Sequence, residues 1–438
     1  MKKLLRLKFL ILFASLLTVS SYFILKQNNV ENIYRMTLRN FIKNNFVKYV
    51  TPFLFEKEIN KKESLTDTTL KKKTVELSNN KILKKYKLTS GFYTGISKLF
   101  AGSGYIDFEK NNLFVLSSRG LLAFNSNLDN NNFKQIKNNI DDYIGLKQFE
   151  KSYKFSIKDL LINNGKIYVS YTEEIKEDCW NTSLLYADVN YKKIKFERLF
   201  SPKECVHSSR NLDQEFEARQ SGGRIFPMSD NQILLTIGDY RARHLAQNKE
   251  SINGKVLLIN NVDKTYKIIS MGHRNPQGLF FDKQNNFILE TEHGPQGGDE
   301  INLIEVSKIK KGTIQNYGWP IASAGEHYGG KVDKNLDKYK KYPLHKSHLN
   351  YGFIEPLKSF VPSIGISEIV KLKQNKYVVS SLKANKLYFF ELDKNKMIKN
   401  LNEFAVNERI RDLKYKNNIL YMFMENSASI GTIVLNNK

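Results

Sequence analysis

The chain is poor in cysteine, which limits the metal and redox sites it can form. Among 438 residues, Cys179 and Cys205 are the two cysteines, and neither has histidine partners at the spacing of a zinc site. In an oxidising compartment they would close a loop worth ~3 kcal/mol. The alternative is two unrelated buried thiols. The sequence therefore excludes a cysteine-based zinc centre and leaves a single disulfide open.

Nucleic-acid-binding motifs are also missing, although the formal net charge is +25. About half of this excess lies in residues 1–90, which hold 19 Lys or Arg and 6 Asp or Glu. The remaining basic residues form no basic helix and are not interleaved with a platform of aromatic rings. We therefore predict no nucleic-acid partner, and a basic segment that lies near an anionic lipid surface.

The N-terminus has no clear signal-peptidase site and no cysteine for lipid attachment. Basic residues between Lys2 and Lys8 precede an apolar run from Phe9 to Leu25. The run is short for a membrane-spanning helix and long for a signal-peptide core. We predict a membrane anchor or a signal peptide in residues 1–26, a polar basic stalk in residues 27–89 and a location outside the cytoplasm.

From residue 90 onwards one pattern recurs six times: a turn with Asn or Gly, a short β-rich run, and a second strand-like run that ends in a polar residue. The first runs begin at Asn111, Asn164, Asn231, Asn285, Asn375 and Asn417. Their partners begin at Leu121, Ser183, Lys255, Glu300, Lys386 and Gly431. Such repeats are typical of radial folds. We predict an all-β, six-bladed β-propeller over residues 90–438, with an irregular β-sandwich as the alternative.

The stretch ETEHGPQGGDE places a sharply turned backbone beside two carboxylates. Gly294 and Pro295 form the turn, and Asp299 and Glu300 follow it. Backbone carbonyls flanked by carboxylates suit a hard cation such as calcium, which takes six to eight oxygen ligands.

The preceding stretch, GHRNPQGLFFD, supplies a different set of groups. Arg274, Asn275 and Gln277 offer a forked cation and two amides, which suit a planar, anionic, oxygen-rich molecule. A long insertion, Ser307–Pro362, separates the fourth and fifth repeats. We expect it on the functional face, since long insertions are often functional.

These stretches, with NYGWP at Asn316, SGGRIFPMSD at Ser221 and ERIRDLKY at Glu408, resemble the soluble sugar dehydrogenases that depend on pyrroloquinoline quinone (PQQ), the glucose/sorbosone dehydrogenase family. The resemblance extends from about Phe155 to the C-terminus. It implies a six-bladed propeller that oxidises an aldose or related alcohol by hydride transfer to PQQ. Calcium, an external electron acceptor and a periplasmic location, on the membrane or free, are implied with it.

The resemblance also implies a role for each matching residue. The residues implied to contact the quinone are Arg274, Asn275, Gln277, Lys383, Arg409 and Arg411. The carbonyls of Gly294 and Pro295 would hold the calcium that polarises the quinone, and Asp299 would lie near the reacting centre. Glu300 and the carbonyl of Tyr317 resemble ligands of a second, structural calcium.

Two departures from the family concern catalysis and cofactor access. Gln220 stands where the family has the histidine that removes the hydroxyl proton, and a glutamine cannot act as a base near neutral pH. Ile157 and Lys158 replace a glycine-rich turn. The nearby groups that could substitute as a base, each more easily read as a surface or packing residue, are Glu215, Glu217, His207 and His244. A non-catalytic propeller that binds sugar, quinone or calcium, and a hydrolase or lactonase, remain as alternatives.

Overall fold

The apolar runs of the sequence form six β-sheets, and each sheet is one blade of a ring. The computed structural model describes residues 67–69, 71–78, 81–88, 102–130 and 132–435, all within the unit Phe55–Lys438. The predicted six-bladed propeller is confirmed. The predicted anchor in residues 1–26 lies outside the described residues. No helix among those described is both long and apolar enough to cross a bilayer.

The strands are numbered along the chain. The first three are β1 (Asp67–Thr69), β2 (Lys71–Glu76) and β3 (Ile82–Lys87). Blade 1 follows with β4 (Gly104–Glu109), β5 (Asn112–Ser117), β6 (Leu122–Asn125) and β7 (Asn132–Asn138). Blade 2 contains β8 (Ile157–Asn163), β9 (Lys166–Lys176), β10 (Cys179–Asp188), β12 (Glu197–Phe200) and β13 (Val206–His207), while β11 (Lys193–Ile194) pairs with β7. Blade 3 contains β14 (Gly222–Ser229), β15 (Gln232–Ile237), β16 (Lys255–Asn260), β17 (Tyr266–Met271) and β21 (Gln315–Asn316).

The remaining blades complete the ring. Blade 4 contains β18 (Pro276–Asp282), β19 (Phe287–Glu292), β20 (Asp299–Glu305) and β22 (Lys358–Phe360). Blade 5 contains β23 (Ile366–Lys373), β24 (Lys376–Ser381), β25 (Lys386–Leu392) and β26 (Ile398–Ala405). Blade 6 contains β27 (Ile410–Lys416), β28 (Ile419–Met424) and β29 (Ser429–Val434). The helices are α1 (Leu146–Lys151), α2 (Val306–Lys310) and α3 (Leu336–Lys341), with short 3-10 helices at Leu128–Asn130, Ile140–Asp142, Arg243–Gln247, Asp333–Asn335 and Leu349–Tyr351.

The ring is closed by strands from the N-terminal side of the chain. β3 pairs with β29, and β2 pairs with β3, so blade 6 combines three C-terminal and two N-terminal strands. Residues 27–89 were predicted to form a polar stalk, and for β1, β2 and β3 that prediction is wrong, since β1 pairs with β7 and the other two belong to blade 6. Without β3, the edge of β29 would expose unpaired backbone groups. The outer position of β2 and β3 also explains their polar sequence, because most side chains of β2 and half of those of β3 are exposed.

The core consists of apolar clusters between neighbouring blades. On β15, for example, Ile233, Leu235 and Ile237 pack against blade 2, whereas Leu234 packs against blade 4. Successive side chains of a strand point to opposite faces of its sheet, and here both faces are covered. This explains why the predicted strand pairs appear as continuous apolar runs. In every blade the predicted pair corresponds to the second and third strands from the axis.

The two cysteines form a disulfide, which resolves the first alternative left open by the sequence. Cys179, at the start of β10, is bonded to Cys205, with 5.3 Å between their Cα atoms. β13, which follows Cys205, pairs with β10 at Cys179 and Trp180. The disulfide therefore holds the outer edge of blade 2.

Candidate functional site

A pocket of about 580 Å³ opens at one end of the propeller axis. The innermost strands β4, β8, β14, β18, β23 and β27 lie side by side around this axis, and they or the loops beside them supply the lining. Nine lining residues are cations: Lys154, Lys158, Arg219, Arg224, Arg241, Arg274, Lys383, Arg409 and Arg411. Two are carboxylates, Glu217 and Asp299. The pocket is therefore suited to an anionic, oxygen-rich ligand.

The fold brings most of the predicted site residues into this pocket. The predicted residues among its lining are Gln220, Arg274, Asn275, Gln277, Gly294, Pro295, Asp299, Lys383, Arg409 and Arg411. Glu300 and Tyr317 lie outside it. Tyr328, from the insertion expected on the functional face, lines the mouth of the pocket. Of the two residues that cast doubt on access, Lys158 lines the pocket and Ile157 is buried between blades 1 and 2.

A chain of hydrogen bonds orders one wall of the pocket. Arg411 Nη1 donates to Gln277 Oε1 at 3.0 Å, and Gln277 Nε2 donates to Asn275 Oδ1 at 3.0 Å. The backbone N–H of Gly222 donates to the same Asn275 oxygen at 3.2 Å. Glu425 accepts bonds from Arg411 at 2.7 Å and from Arg409 at 3.1 Å. These bonds fix two amides and two guanidinium groups before any ligand binds.

Arg274 is tied to the turn that carries the predicted calcium ligands. Its Nη1 donates to the carbonyl of His293 at 2.9 Å and to that of Gly294 at 2.6 Å. Its backbone N–H donates to the Glu292 carboxylate at 2.5 Å. The guanidinium carbon lies 5.4 Å from the Trp319 ring, a cation–π distance. Arg274 and Gly294 both line the pocket, and the Gly294 carbonyl is hydrogen-bonded to the guanidinium group there.

Asp299 is held as a rigid acceptor. Its Oδ1 accepts the N–H of Gly294 at 3.2 Å, and its Oδ2 accepts those of Gly365 at 2.6 Å and Ile366 at 3.0 Å. A side chain at position 294 would collide with the backbone of Gly298. The tight turn thus requires glycine there and keeps Asp299 beside the pocket.

Gln220 occupies the position of the family base and is fully engaged. With its amide oxygen towards two guanidinium groups, the side chain accepts bonds from Arg274 at 2.7 Å and Arg241 at 3.0 Å. Its amide nitrogen donates to Asp239 Oδ1 at 3.1 Å. This orientation satisfies both ends of the amide, which is the basis for assigning it. The oxygen has no remaining capacity to receive a proton.

Beneath the pocket, Arg224 links the inner strands of several blades. Its guanidinium lies 3.0 Å from the carboxylates of Asp159, Glu368 and Asp412. It also donates to the carbonyls of Gln277 and Arg411, both at 2.6 Å. Burial, together with the mutual repulsion of the carboxylates, raises the pKa values of Asp159 and Glu368. Arg224 thus neutralises a buried acidic cluster that would otherwise separate the blades.

A second acidic cluster lies on β19 and β20, outside the pocket. The Asn302 amide donates to Glu290 at 3.0 Å and to Glu292 at 3.1 Å, and lies 3.5 Å from Glu300. His273 Nδ1 lies 3.1 Å from Glu292 and 3.7 Å from Glu290. Burial and the charge of Glu292 raise the pKa values of Glu290 and Glu300. Sequence reasoning identified Glu300 but missed Glu290 and Glu292, although acidic residues at alternate positions of an otherwise apolar strand could have indicated them.

The second predicted calcium pair lies at this cluster. Glu300 Oε1 is 3.5 Å from His348 Nε2, and the ring of Tyr317 stacks on that of His273 with 4.9 Å between the centroids. Glu290 Oε1 and Asn302 Oδ1 accept no hydrogen bond within the described part of the chain. Oxygen atoms of this kind, buried beside several carboxylates, fit the preferences of calcium.

Sequence reasoning also missed most of one side of the pocket, where it identified Lys158 alone and considered it an obstacle to access. Lys154, Lys158, Arg219 and Arg241 lie in or beside the inner strands of blades 2 and 3. No local motif marks them, because the blades that carry them come together through the ring. Of the four groups that were considered as replacement bases, Glu217 lines the pocket, whereas Glu215, His207 and His244 are not among its lining residues.

Glu217 is a poor substitute for the missing base. Lys154 contacts it at 2.8 Å, and Arg219 contacts it at 3.0 Å. Although burial opposes this, the bond and charge from Arg219, and those from Lys154, lower the pKa of Glu217 to about 2. Such a carboxylate has little affinity for a proton near neutral pH.

Known proteins with the same architecture share parts of this sequence. An aldose sugar dehydrogenase of Escherichia coli is 28% identical over 181 residues, 38% of this chain and 44% of that protein. Quinoprotein glucose dehydrogenase B of Acinetobacter calcoaceticus is 35% identical over 128 residues, 22% of this chain and 25% of that protein. The aligned regions thus span less than half of either relative. The PQQ-bound aldose sugar dehydrogenase of Streptomyces coelicolor has the same fold, with a TM-score of 0.57 and 15% identity over 76% of this chain and 93% of that one.

The model of the Glucose / Sorbosone dehydrogenase family matches residues 161–434. This range includes five of the six inner strands at least in part, and all the predicted site residues. The chain therefore belongs to the Glucose / Sorbosone dehydrogenase family.

Proposed function

We propose that the protein binds PQQ in the axial pocket and oxidises an aldose or a related alcohol. The observation that carries this proposal is the convergence of all six predicted quinone ligands, which come from blades 4, 5 and 6, on one pocket. The PQQ-bound relative and the quinoprotein relative support the choice of cofactor. When bound, PQQ would supply a two-electron oxidant that takes a hydride from the substrate carbon.

The residues of the chain suit this cofactor in charge and shape. Arg274, Lys383, Arg409 and Arg411 would neutralise its carboxylates. The ordered amides of Asn275 and Gln277 would meet its other oxygens. The Gly294 and Pro295 carbonyls would hold a calcium ion, which acts as a Lewis acid.

We also propose calcium at the cluster of Glu290, Glu292 and Glu300. The carboxylate oxygens of Glu290 and Glu292 lie within 4.8 Å of each other, and Glu290 Oε1 and Asn302 Oδ1 accept no hydrogen bond within the described residues, which supports this assignment. The ion would there serve the structure, because it would join β19 and β20 to the segment around Tyr317 and His348.

A second candidate is a propeller that binds its ligands without turning them over. The geometry of Gln220 favours it, because the amide oxygen already accepts two hydrogen bonds from arginines. The proton of the substrate hydroxyl then has no acceptor at the position the family uses.

The test is to load the purified full-length protein with PQQ and calcium and to follow dye reduction with a panel of aldoses. PQQ binding with turnover supports the dehydrogenase, and PQQ binding without turnover supports the second candidate. Failure to bind PQQ overturns both. Gln220→His is a matched variant, since turnover gained in it alone would show that the natural protein lacks the base.

We further propose that the protein acts in the periplasm, anchored to the membrane or secreted, and passes electrons to an external acceptor. The Cys179–Cys205 disulfide supports an oxidising compartment. The apolar run Phe9–Leu25 with its basic flank supports the anchor. Fractionation of cells into membrane, periplasm and cytoplasm tests the periplasmic location and the membrane anchor. Recovery of the protein in the cytoplasm with reduced cysteines would overturn both proposals.

A further inference from the structure

The pocket has two basic sides, and the proposed cofactor accounts for one of them. Arg274, Lys383, Arg409 and Arg411 belong to blades 4, 5 and 6, and they are the cations assigned to the quinone. The opposite side belongs to blades 2 and 3. Its cations are Lys154, Lys158, Arg219 and Arg241, and we call it the second basic side.

The charge of the second basic side exceeds what the quinone needs. Arg224 is left out of the count because three carboxylates surround it. The other eight cations of the pocket are offset by Glu217, Asp299, Glu425 and Asp239, a buried carboxylate whose charge interacts with Arg274. Four positive charges remain, one more than the three carboxylates of PQQ neutralise. A calcium ion at the Gly294 turn would increase the surplus.

Arg241 is directed into the pocket by an unusual backbone. Tyr240 and Arg241 have φ angles of 49° and 66°, and two consecutive non-glycine residues in this region are costly. Such strain is concentrated at functional sites. The guanidinium lies 5.5 Å from the ring of Tyr328 at the mouth and 3.0 Å from Gln220. Within the described residues no carboxylate forms an ion pair with it.

Lys158 is likewise short of anionic partners. Its Nζ lies 3.4 Å from the carbonyl of Ala218, on the wall that leads to Gln220. Burial, followed by the charge of Arg411, lowers the pKa of Lys158 to about 7. Glu217 opposes this shift, while Arg119 and Arg219 add to it. An anion bound among these groups would relieve the repulsion and favour the protonated amine.

We infer that the second basic side binds an acidic group of the substrate, so that the preferred substrates are sugars with a carboxylate or a phosphate ester. Gln220 touches both Arg241 and Arg274, and therefore marks the junction between this subsite and the quinone side. The inference rests on the proposed function for the position of the cofactor. It adds the substrate class, which the family assignment leaves open.

The experiment compares three ligands that differ in charge: glucose, glucuronate and glucose 6-phosphate. Calorimetric dissociation constants are measured on the full-length protein with and without PQQ and calcium. We expect at least one acidic sugar to bind ~10-fold or more tightly than glucose, as a charge-assisted hydrogen bond contributes ~1.5–3 kcal/mol. Preference for glucuronate alone identifies a carboxylate site, and preference for glucose 6-phosphate alone identifies a phosphate site.

Two variants test the residues themselves. Arg241→Gln and Lys158→Met should each reduce the ratio of glucose to acidic-sugar dissociation constants by ~10-fold. Arg210→Gln, at an exposed arginine that contacts His207, is the matched control and should leave the ratio unchanged. The affinity of each variant for PQQ is measured alongside. Equal loss of PQQ and acidic-sugar binding would assign these cations to the cofactor and overturn the inference.

The outcomes also separate this inference from the proposed function. Acidic sugars that bind preferentially without dye reduction would leave the subsite intact and refute the dehydrogenase activity. If the protein oxidises sugars but binds glucose as tightly as both acidic sugars, the dehydrogenase activity is supported and the acidic subsite is refuted. The subsite is equally refuted if Arg241→Gln and Arg210→Gln give the same ratio.

Discussion

Replacing Arg224 with leucine would remove the cation that lies between three buried carboxylates. The side chains of Arg224, Asp159, Glu368 and Asp412 are between 0% and 6% exposed, so water cannot take over the role of the guanidinium. Removing one partner of a buried ion pair costs ~3–5 kcal/mol, and the two carbonyls that also lose a donor put the expected value at the upper end. We expect the free energy of unfolding to fall by about this amount.

The pH dependence of the loss provides the sharper test. Without Arg224, burial and mutual repulsion raise the pKa values of Asp159 and Glu368 still further, so the folded variant binds more protons than the unfolded chain. The stability that the protonated carboxyl groups contribute to the folded variant is therefore fully present below their ordinary pKa of about 4. This contribution is lost as the pH rises through their raised pKa values in the folded state. The difference from the unmodified protein should therefore be smaller at pH 5 than at pH 8.

Urea unfolding followed by circular dichroism at the two pH values measures both effects. Arg210→Leu serves as the control, because substitution of an exposed arginine changes stability by ~0.5 kcal/mol or less. A loss in Arg224→Leu no larger than in this control, or a loss that is equal at pH 5 and pH 8, would refute the role assigned to Arg224.

Four further predictions follow from other parts of the structure. Replacing Cys179 and Cys205 with alanine should lower the free energy of unfolding by ~3 kcal/mol, as measured in urea, because the open loop regains chain entropy; an unchanged midpoint would contradict this. Gly223→Ala should weaken the binding of acidic sugars in calorimetric titrations, since φ is 109° and the new methyl group would collide with Lys158; unaltered affinity would contradict the role assigned to Lys158. Calcium at 100 times its dissociation constant should stabilise the protein by ~2.7 kcal/mol, and EDTA should reverse the effect in thermal melts. In Glu290→Gln this response should weaken, and an equal response would place the ion elsewhere. The preference for acidic sugars should decline between pH 6 and pH 8, because Lys158, with its pKa lowered to about 7, loses its charge over that interval; a flat profile would exclude Lys158 from the subsite.

The middle strands of each blade could be predicted from the sequence, whereas the inner strands could not. β15 and β24 are almost wholly buried, with the apolar runs Ile233–Leu235 and Tyr377–Val379 at their centres, because neighbouring blades cover both of their faces. β8 and β27 contain Asp159 and Asp412 at buried positions. In the sequence, these aspartates interrupt the apolar pattern that is expected of a buried strand. Their partner, Arg224, is 65 residues from one and 188 from the other, so their compensation depends on the closed ring.

The limits of the stalk prediction have a similar origin. β3 reads as a polar segment, yet Leu83 and Tyr86 are buried against the neighbouring strands and blades. Its pairing partner, β29, lies at the other end of the chain. A blade completed by both ends of the chain buries the last open edge. The need to cover this edge arises only in the closed ring, so it cannot be detected in the sequence of β3 alone.

Arg241 accounts both for the glutamine that replaces the family histidine at position 220 and for part of the excess positive charge of the pocket. A base at this position would have to accept a proton between the guanidinium groups of Arg274 and Arg241, which lie 2.7 Å and 3.0 Å from the Gln220 oxygen. Two adjacent cations disfavour a protonated, charged base, whereas a neutral amide can accept a bond from each. Arg241 is therefore compatible with glutamine and opposes a basic residue there. The same arginine lacks a carboxylate partner in the described part of the chain and projects towards the substrate side of the pocket, so the group that makes Gln220 suitable is also the one we assign to the acidic substrate.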